Sequence, residues 1–208
     1  ILPDASVHCV ATSPPYYGLR DYATRPVLWR GEHALDRVAG HLGLEPTPDC
    51  LAWARADHPC ANCYVCHLRA IFSEVRRVLR PDGTLWLNLG DTYAANRGYQ
   101  VPDNKHKDVG NHMAARVPRG MKPKDLFGVP WRVALALQAD GWWLRSEILW
   151  HKPNAMPSSA EDRPTRNHEQ VFLLSPSEMY YYDLYGAREP LAPDTVPRYF
   201  RGRSETQK

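Results

Sequence analysis

Between Leu68 and Leu79 the apolar residues fall at positions 68, 71, 72, 75, 78 and 79, and the run "TLWLNLGD" follows after a four-residue "RPDG". Steps of three and four put one apolar stripe on a helix. Pro81 and Gly83 are the residues that stop it, and the run beyond reads as a buried strand. Helix, turn and strand in that order make one half of a βαβ unit. The pattern recurs along the chain. Ser6–Thr12 reads as a short strand, a second helix opens at Pro130 and runs through "WRVALALQADG" to Gly141, and "WWLRSEILWHKPN" is the strand after it. "HEQVFLLS" and "MYYYD" are expected to form a hairpin-type pair around "PSE". Strands alternating with amphipathic helices predict an α/β sheet with helices packed on its faces. At 208 residues the chain suits one domain with a real core.

In such sheets ligands gather outside the carboxyl ends of the strands. Three polar exits lie there, "TSPPYY", "NLGDTY" and "WHKPNAMPSS", and they are expected to line one edge together. The first is the most informative. Each proline removes a backbone N–H and holds the preceding residue extended, so Ser13, Pro14, Pro15 and Tyr16 form a stiff exit carrying a hydroxyl and an aromatic ring. The Ser13 oxygen and the Pro14 carbonyl are two acceptors for a single NH2 group. An exocyclic amine on cytosine or adenine is a poor nucleophile because its lone pair is delocalised into the ring. Two acceptors gripping its hydrogens favour a pyramidal nitrogen and release that lone pair. Tyr16 would stack on the base, as in pockets for flipped bases, with Tyr17 as a second wall. The reaction that fits is in-line methyl transfer from a sulfonium donor. The bland reading of the same residues is a rigid strand exit with aromatic packing.

"TSPPY" resembles motif IV of the amino-group DNA methyltransferases, the (D/N/S)-P-P-(Y/F/W) signature. "EVRRVLRPDGTLWLNLGD" is similar to the helix and strand that follow it in that family's class I, Rossmann-like fold, and "GWWLRSEILWHKPN" and "DRPTRNHEQVFLL" resemble later strands of the same catalytic half. The four blocks stand in family order across roughly residues 3 to 190. The resemblance implies a site-specific, S-adenosylmethionine-dependent DNA methyltransferase of a prokaryote or its phage, acting on duplex DNA with a flipped base. Its catalytic region precedes its cofactor region. The serine form of the motif leans towards N4 of cytosine over N6 of adenine. The family's cofactor loop, F-x-G-x-G, is nowhere in these 208 residues. The expectation is therefore an incomplete class I fold, with a second chain or a missing segment supplying that loop, or else a silent DNA-binding fragment.

On this reading residues 1–190 are the catalytic region, with an irregular Cys-containing insertion at about 23–63 and a polar basic loop at about 92–125. Residues 191–208 are a flexible tail or the start of a downstream region. The loop from Thr92 to Asp125 holds seven Lys/Arg against three Asp, and Lys105, Lys107, Arg116 and Arg119 are its candidates for the DNA backbone. Lys152, Arg163 and Arg166 are further phosphate candidates, with a solvated, ion-paired turn as the alternative. Asp91 and Tyr93 either shape the base pocket or contact the cofactor, or equally form a helix cap or turn pair. Cys50, Cys60, Cys63 and Cys66 fall within seventeen residues, a spacing compatible with structural zinc, with iron–sulfur ligation or with plain thiols. Cys9, in the first strand, is expected to be buried. A net charge of +3 permits a nucleic-acid partner without demanding one. No apolar run approaches a membrane span and there is no signal-peptide pattern, which predicts a cytoplasmic protein without a membrane partner.

Overall fold

The computed structural model describes residues 2–18, 22, 25–30, 37–45, 47–49, 60, 62–94, 122–155, 157–158 and 160–190. Within them the elements run β1 (Val7–Thr12), β2 (Val27–Arg30), β3 (Arg37–Gly40), α1 (Tyr64–Val78), β4 (Leu79–Leu89), α2 (Val129–Ala139), β5 (Trp143–His151) and β6 (His168–Ser175). Four strands form one sheet in the order β1-β4-β6-β5. β4 is parallel to β1, and β6 is antiparallel to both β4 and β5. β1, β4 and β5 therefore point the same way, and their three polar exits share one edge, as expected.

α1 begins at Tyr64, ahead of the stripe that announces it, with Cys63 as its N-cap. Arg76 and Arg77 in its last turn complement the negative end of the helix dipole. The chain then enters β4 with no intervening loop, since the C-cap Leu79 is already extended. The "RPDG" break is expressed inside the ladder. Val7 faces Leu79 but Cys9 faces Thr84, so Arg80–Gly83 form an excursion that the shorter β1 does not match. Arg80 Nε on Asp82 Oδ1 at 2.8 Å spans it.

The core lies on one face of the sheet. Leu85, Leu87 and Leu89 of β4 and Phe172 and Leu174 of β6 are fully buried, packed with Leu68 and Phe72 of α1 and Val133, Ala134 and Leu137 of α2. Each such leucine contributes about 1.5–3 kcal/mol by leaving water. The alternate residues Thr84, Trp86 and Asn88 are only half-buried. Cys9, expected inside, is exposed: β1 is an edge strand and Cys9 pairs beside Thr84 on the less covered side.

Two further expectations are corrected. The insertion is not wholly irregular, because β2 and β3 pair antiparallel as a separate two-stranded sheet. "MYYYD" is not a strand. β6 is central, flanked by β4 and β5, and its run of Val171, Phe172, Leu173 and Leu174 is satisfied by those two neighbours. After Pro176 the chain turns away, held by Ser177 Oγ donating to the Pro81 carbonyl at 2.5 Å and by the Tyr181 N–H donating to the Asp82 carbonyl at 2.9 Å.

Candidate active site

The exit of β1 folds back over the exit of β4. Gly90 makes this possible: a Cβ there would stand 2.4 Å from Tyr16 Cε2 and 2.5 Å from Cδ2, so only a glycine lets the ring lie on this backbone. The Tyr16 hydroxyl is the centre of a hydrogen-bonded chain. Ser13 Oγ donates to it at 3.2 Å, and it donates to Glu169 Oε2 at 3.0 Å. The same carboxylate oxygen accepts from Asn88 Nδ2 at 3.2 Å, and Lys152 Nζ donates to Oε1. One group from each strand or its exit thus meets at a single point: Ser13 and Tyr16 after β1, Asn88 on β4, Glu169 on β6 and Lys152 after β5.

The protonation states follow from these contacts. Burial pushes the Glu169 carboxyl up, but hydrogen bonds from Lys152, Asn88 and Tyr16 outweigh it and hold the group below the usual carboxylate range. Burial, reinforced by the Glu169 charge, pushes the Tyr16 phenol up, against the lowering effect of Ser13. At neutral pH a neutral phenol therefore faces a carboxylate. A depressed folded pKa contributes stability above the unfolded value, near 4.3, and loses it as pH falls through the lower folded value. Glu169→Gln is accordingly expected to melt below the wild type at neutral pH, with the gap closing only in buffers more acidic than the ordinary glutamate range. Thermal denaturation of both proteins across that range checks it; a gap that persists unchanged in strong acid would contradict the charge-based account.

The loop is buttressed from behind. Tyr64 donates its hydroxyl to the Pro15 carbonyl at 2.7 Å, and burial pushes its phenol up, so it stays a donor. The Gly18 N–H donates to the Gly43 carbonyl at 2.7 Å. Gly43, at φ 93°, is itself fixed by its N–H on Glu45 Oε2 at 2.9 Å, while Glu45 Oε1 lies 2.7 Å from Nδ1 of the buried His67. Trp29 stacks on His67 with ring centres 3.9 Å apart.

The expected residues divide. Ser13 is exposed, and Pro14, Pro15 and Tyr16 are half-buried at the edge. Tyr17, expected as a second wall of a base pocket, is core instead: it is 7 % exposed and packs on Tyr64 and edge-on against Phe127. Asp91 is the helix cap. Oδ1 accepts from the Thr92 and Val129 N–H groups, both at 3.0 Å, and Oδ2 accepts from Gly128 at 3.1 Å with Arg166 Nη1 3.4 Å away. Gly128, the formal N-cap at φ 66°, has no side chain to do this, and Asp91 substitutes from another segment.

Arg166 also donates to Gln170 Oε1 at 2.9 Å. The Arg163 guanidinium lies 3.9 Å over the Tyr93 ring. His151 and Asn154 are exposed. Lys105, Lys107, Arg116, Arg119 and Cys50 lie outside the described residues. Cys60, Cys63 and Cys66 cluster at the start of α1. Glu169, Asn88, Gly90 and Tyr64 are the site residues that sequence reasoning missed. Gly90 carried a usable signal, a glycine set between the last leucine of a strand and an aspartate at its exit. The others read as ordinary strand and helix positions.

A family model described as DNA methylase, for N6 and N4 methyltransferases, matches residues 7–204. The Type II methyltransferase M.XycI of Xanthomonas campestris pv. cyanopsidis is 48% identical over 190 residues, covering 91% of this chain and 54% of that protein. M.Cfr9I of Citrobacter freundii is 47% identical over 189 residues, covering 90% of this chain and 54% of its own length. M.SmaI of Serratia marcescens is 45% identical over 183 residues, covering 88% and 53%. The chain thus spans about half the length of the curated relatives it matches. Among solved structures, a PvuII DNA methyltransferase (cytosine-N4-specific) superposes with a TM-score of 0.50 at 18% identity, over 90% of this chain and 50% of that one, which is a likeness of fold.

Proposed function

The chain belongs to the DNA methylase family, and from that premise we propose that it carries the amine-presenting catalytic region of an S-adenosylmethionine-dependent DNA methyltransferase that modifies N4 of cytosine in duplex DNA. The observation that supports this most is the ordered chain Ser13–Tyr16–Glu169 at the strand exits. Because Glu169 is an anion it can only accept, so the Tyr16 hydroxyl donates to it and in turn accepts from Ser13. Ser13 has then used its proton, and its remaining lone pairs face outward as an acceptor. Glu169 therefore sets the polarity of the hydroxyl that is to grip the amine. The Pro14 carbonyl is the second acceptor, held in place by the Tyr64 hydroxyl on the next carbonyl along. Tyr16, backed by Gly90, is a rigid platform for the extruded base.

The donor, when bound, supplies a methyl group on a sulfonium sulfur. That methyl group would pass to the amine held by Ser13 and the Pro14 carbonyl, and the methylated amine would release its proton to solvent, so no residue is assigned as a general base. Asp91, the residue the sequence offers to the donor, does not fit that role, because both its oxygens are engaged by the cap of α2. None of the residues at this edge is assigned to the donor. Lys105, Lys107, Arg116 and Arg119 are assigned to backbone phosphates, contacts that position the duplex without reading its sequence.

The test is methylation of unmodified plasmid DNA with S-adenosylmethionine, followed by digestion and mass spectrometry of the nucleosides. N4-methylcytosine is expected, with Ser13→Ala lowering its yield by on the order of a hundredfold, comparable to the loss of one well-placed polar group in other active sites. N6-methyladenine as the product would overturn the choice of base. Methylation undiminished in Ser13→Ala would overturn the role given to the hydroxyl.

A further inference from the structure

Away from the strand exits, three sulfur atoms converge where α1 begins. The thiols of Cys60, Cys63 and Cys66 lie within 4.8 Å of one another. Cys63 is the helix cap, and its Sγ accepts from the Cys66 N–H at 3.4 Å. Cys63 and Cys66 are buried, at 0 % and 2 % exposure, and Cys60 is half-buried at the outer side.

We propose that this cluster is a structural zinc site. Zinc–thiolate bonds of about 2.3 Å in a tetrahedron put sulfurs roughly 3.8 Å apart, so the three need to draw in by no more than about 1 Å. The local backbone suits the charge. Cys63 at the cap and Cys66 one turn inside stand at the positive end of α1, where thiolates are favoured. The Cys66 N–H already directed at Cys63 Sγ is the kind of hydrogen bond that steadies a zinc-bound sulfur. Zinc is redox-inert, and each thiol releases its proton as the metal binds.

The position of the cluster gives such a metal a structural task. Around Cys63 the insertion meets the helix: the Tyr64 N–H donates to the Thr47 carbonyl at 3.2 Å, and the Val65 N–H donates to the Pro48 carbonyl at 3.1 Å. Tyr64 is the residue whose hydroxyl holds the Pro15 carbonyl. A zinc ion with Cys60, Cys63 and Cys66 in three of its four positions, and one further donor such as a solvent molecule in the fourth, ties the segment ahead of α1 to the helix and fixes the turn that carries Tyr64. This inference concerns metal binding and stands whether or not the chain transfers methyl groups.

The test is elemental analysis of the full chain purified without chelators or a metal-affinity tag. Close to one equivalent of zinc per chain is expected, retained through gel filtration and lost in Cys60→Ser, while Cys9→Ser, at the exposed cysteine of β1, keeps it. Titration with a mercurial thiol reagent should release zinc in step with thiols blocked. Cobalt(II) in place of zinc should give thiolate-to-metal charge-transfer absorption and the intense visible bands of a tetrahedral centre. Should Cys60→Ser fail to fold, the cobalt spectrum of the wild type decides alone. Protein free of metal whose cysteines all react as thiols would overturn the proposal. So would bound iron with visible absorbance, or a mass two hydrogens low that marks a disulfide.

Discussion

Gly90→Ala is expected to cut DNA methylation by on the order of a hundredfold while leaving the sheet assembled, because a displacement near 1 Å of a positioned group is enough for a loss of that size. Gly90 is not among the glycines with positive φ, so alanine meets no backbone obstacle there. The conflict is with one side chain, whose ring carbons would lie 2.4 and 2.5 Å from the new methyl group. Tyr16 cannot retreat without breaking its bonds to Ser13 and Glu169. Overpacking of this kind costs about 1–3 kcal/mol, and here it falls on the residue proposed to hold the base. A double-mutant cycle isolates the effect. In a Tyr16→Ala background the Gly90→Ala change should cost little further stability, so the two substitutions should couple by about 1 kcal/mol or more in denaturant unfolding. Additive effects would show that the ring and the glycine do not meet.

Asp91→Ala should be the most destabilising single change at this edge, by about 3 kcal/mol, because one buried carboxylate serves three backbone donors and hydrogen bonds to a charged group contribute roughly 1.5–3 kcal/mol each without adding fully. Its removal strands the Val129 and Gly128 N–H groups at the head of α2 and leaves Arg166 facing no carboxylate there. For a chain of this length the melting temperature should fall by roughly 6–12 °C. Asp91→Asn keeps two acceptor positions and should recover part of the loss. Should Asp91→Ala melt like the wild type, the capping role assigned to this side chain would be wrong.

The α/β layout was legible because periodicity is a local property: the stripe from Leu68 to Leu79 and the run after it are readable without knowing what they touch. The shared edge was legible for the same reason, since polar exits follow strands. Two things were not. β6 and "MYYYD" look alike to a rule based on strand propensity, and only the competition of β4 and β5 for the same partner decides that one pairs and the other does not. Glu169 lay in plain view in "NHEQVFLL", but a glutamate within a strand carries no mark of the hydroxyl it will meet. Asp91 had two readings in the sequence, and the capping contacts it makes depend on Gly128, which lies 37 positions away along the chain and has no side chain with which to cap its own helix.

The hydrogen bond from Tyr16 to Glu169 joins residues 153 positions apart, and Asn88 on β4 and Lys152 after β5 complete it. During synthesis the first of these groups must wait for nearly the whole described chain before its partner exists. A one-residue slip in β6 would turn Glu169 to the opposite side of the sheet. Such distant contacts form late, after the entropy of closing the long loop has been overcome. A partly made or misregistered chain therefore holds the Ser-Pro-Pro-Tyr segment without the carboxylate that Tyr16 donates to, and the hydrogen-bonded chain at this edge is completed only once β6 has paired.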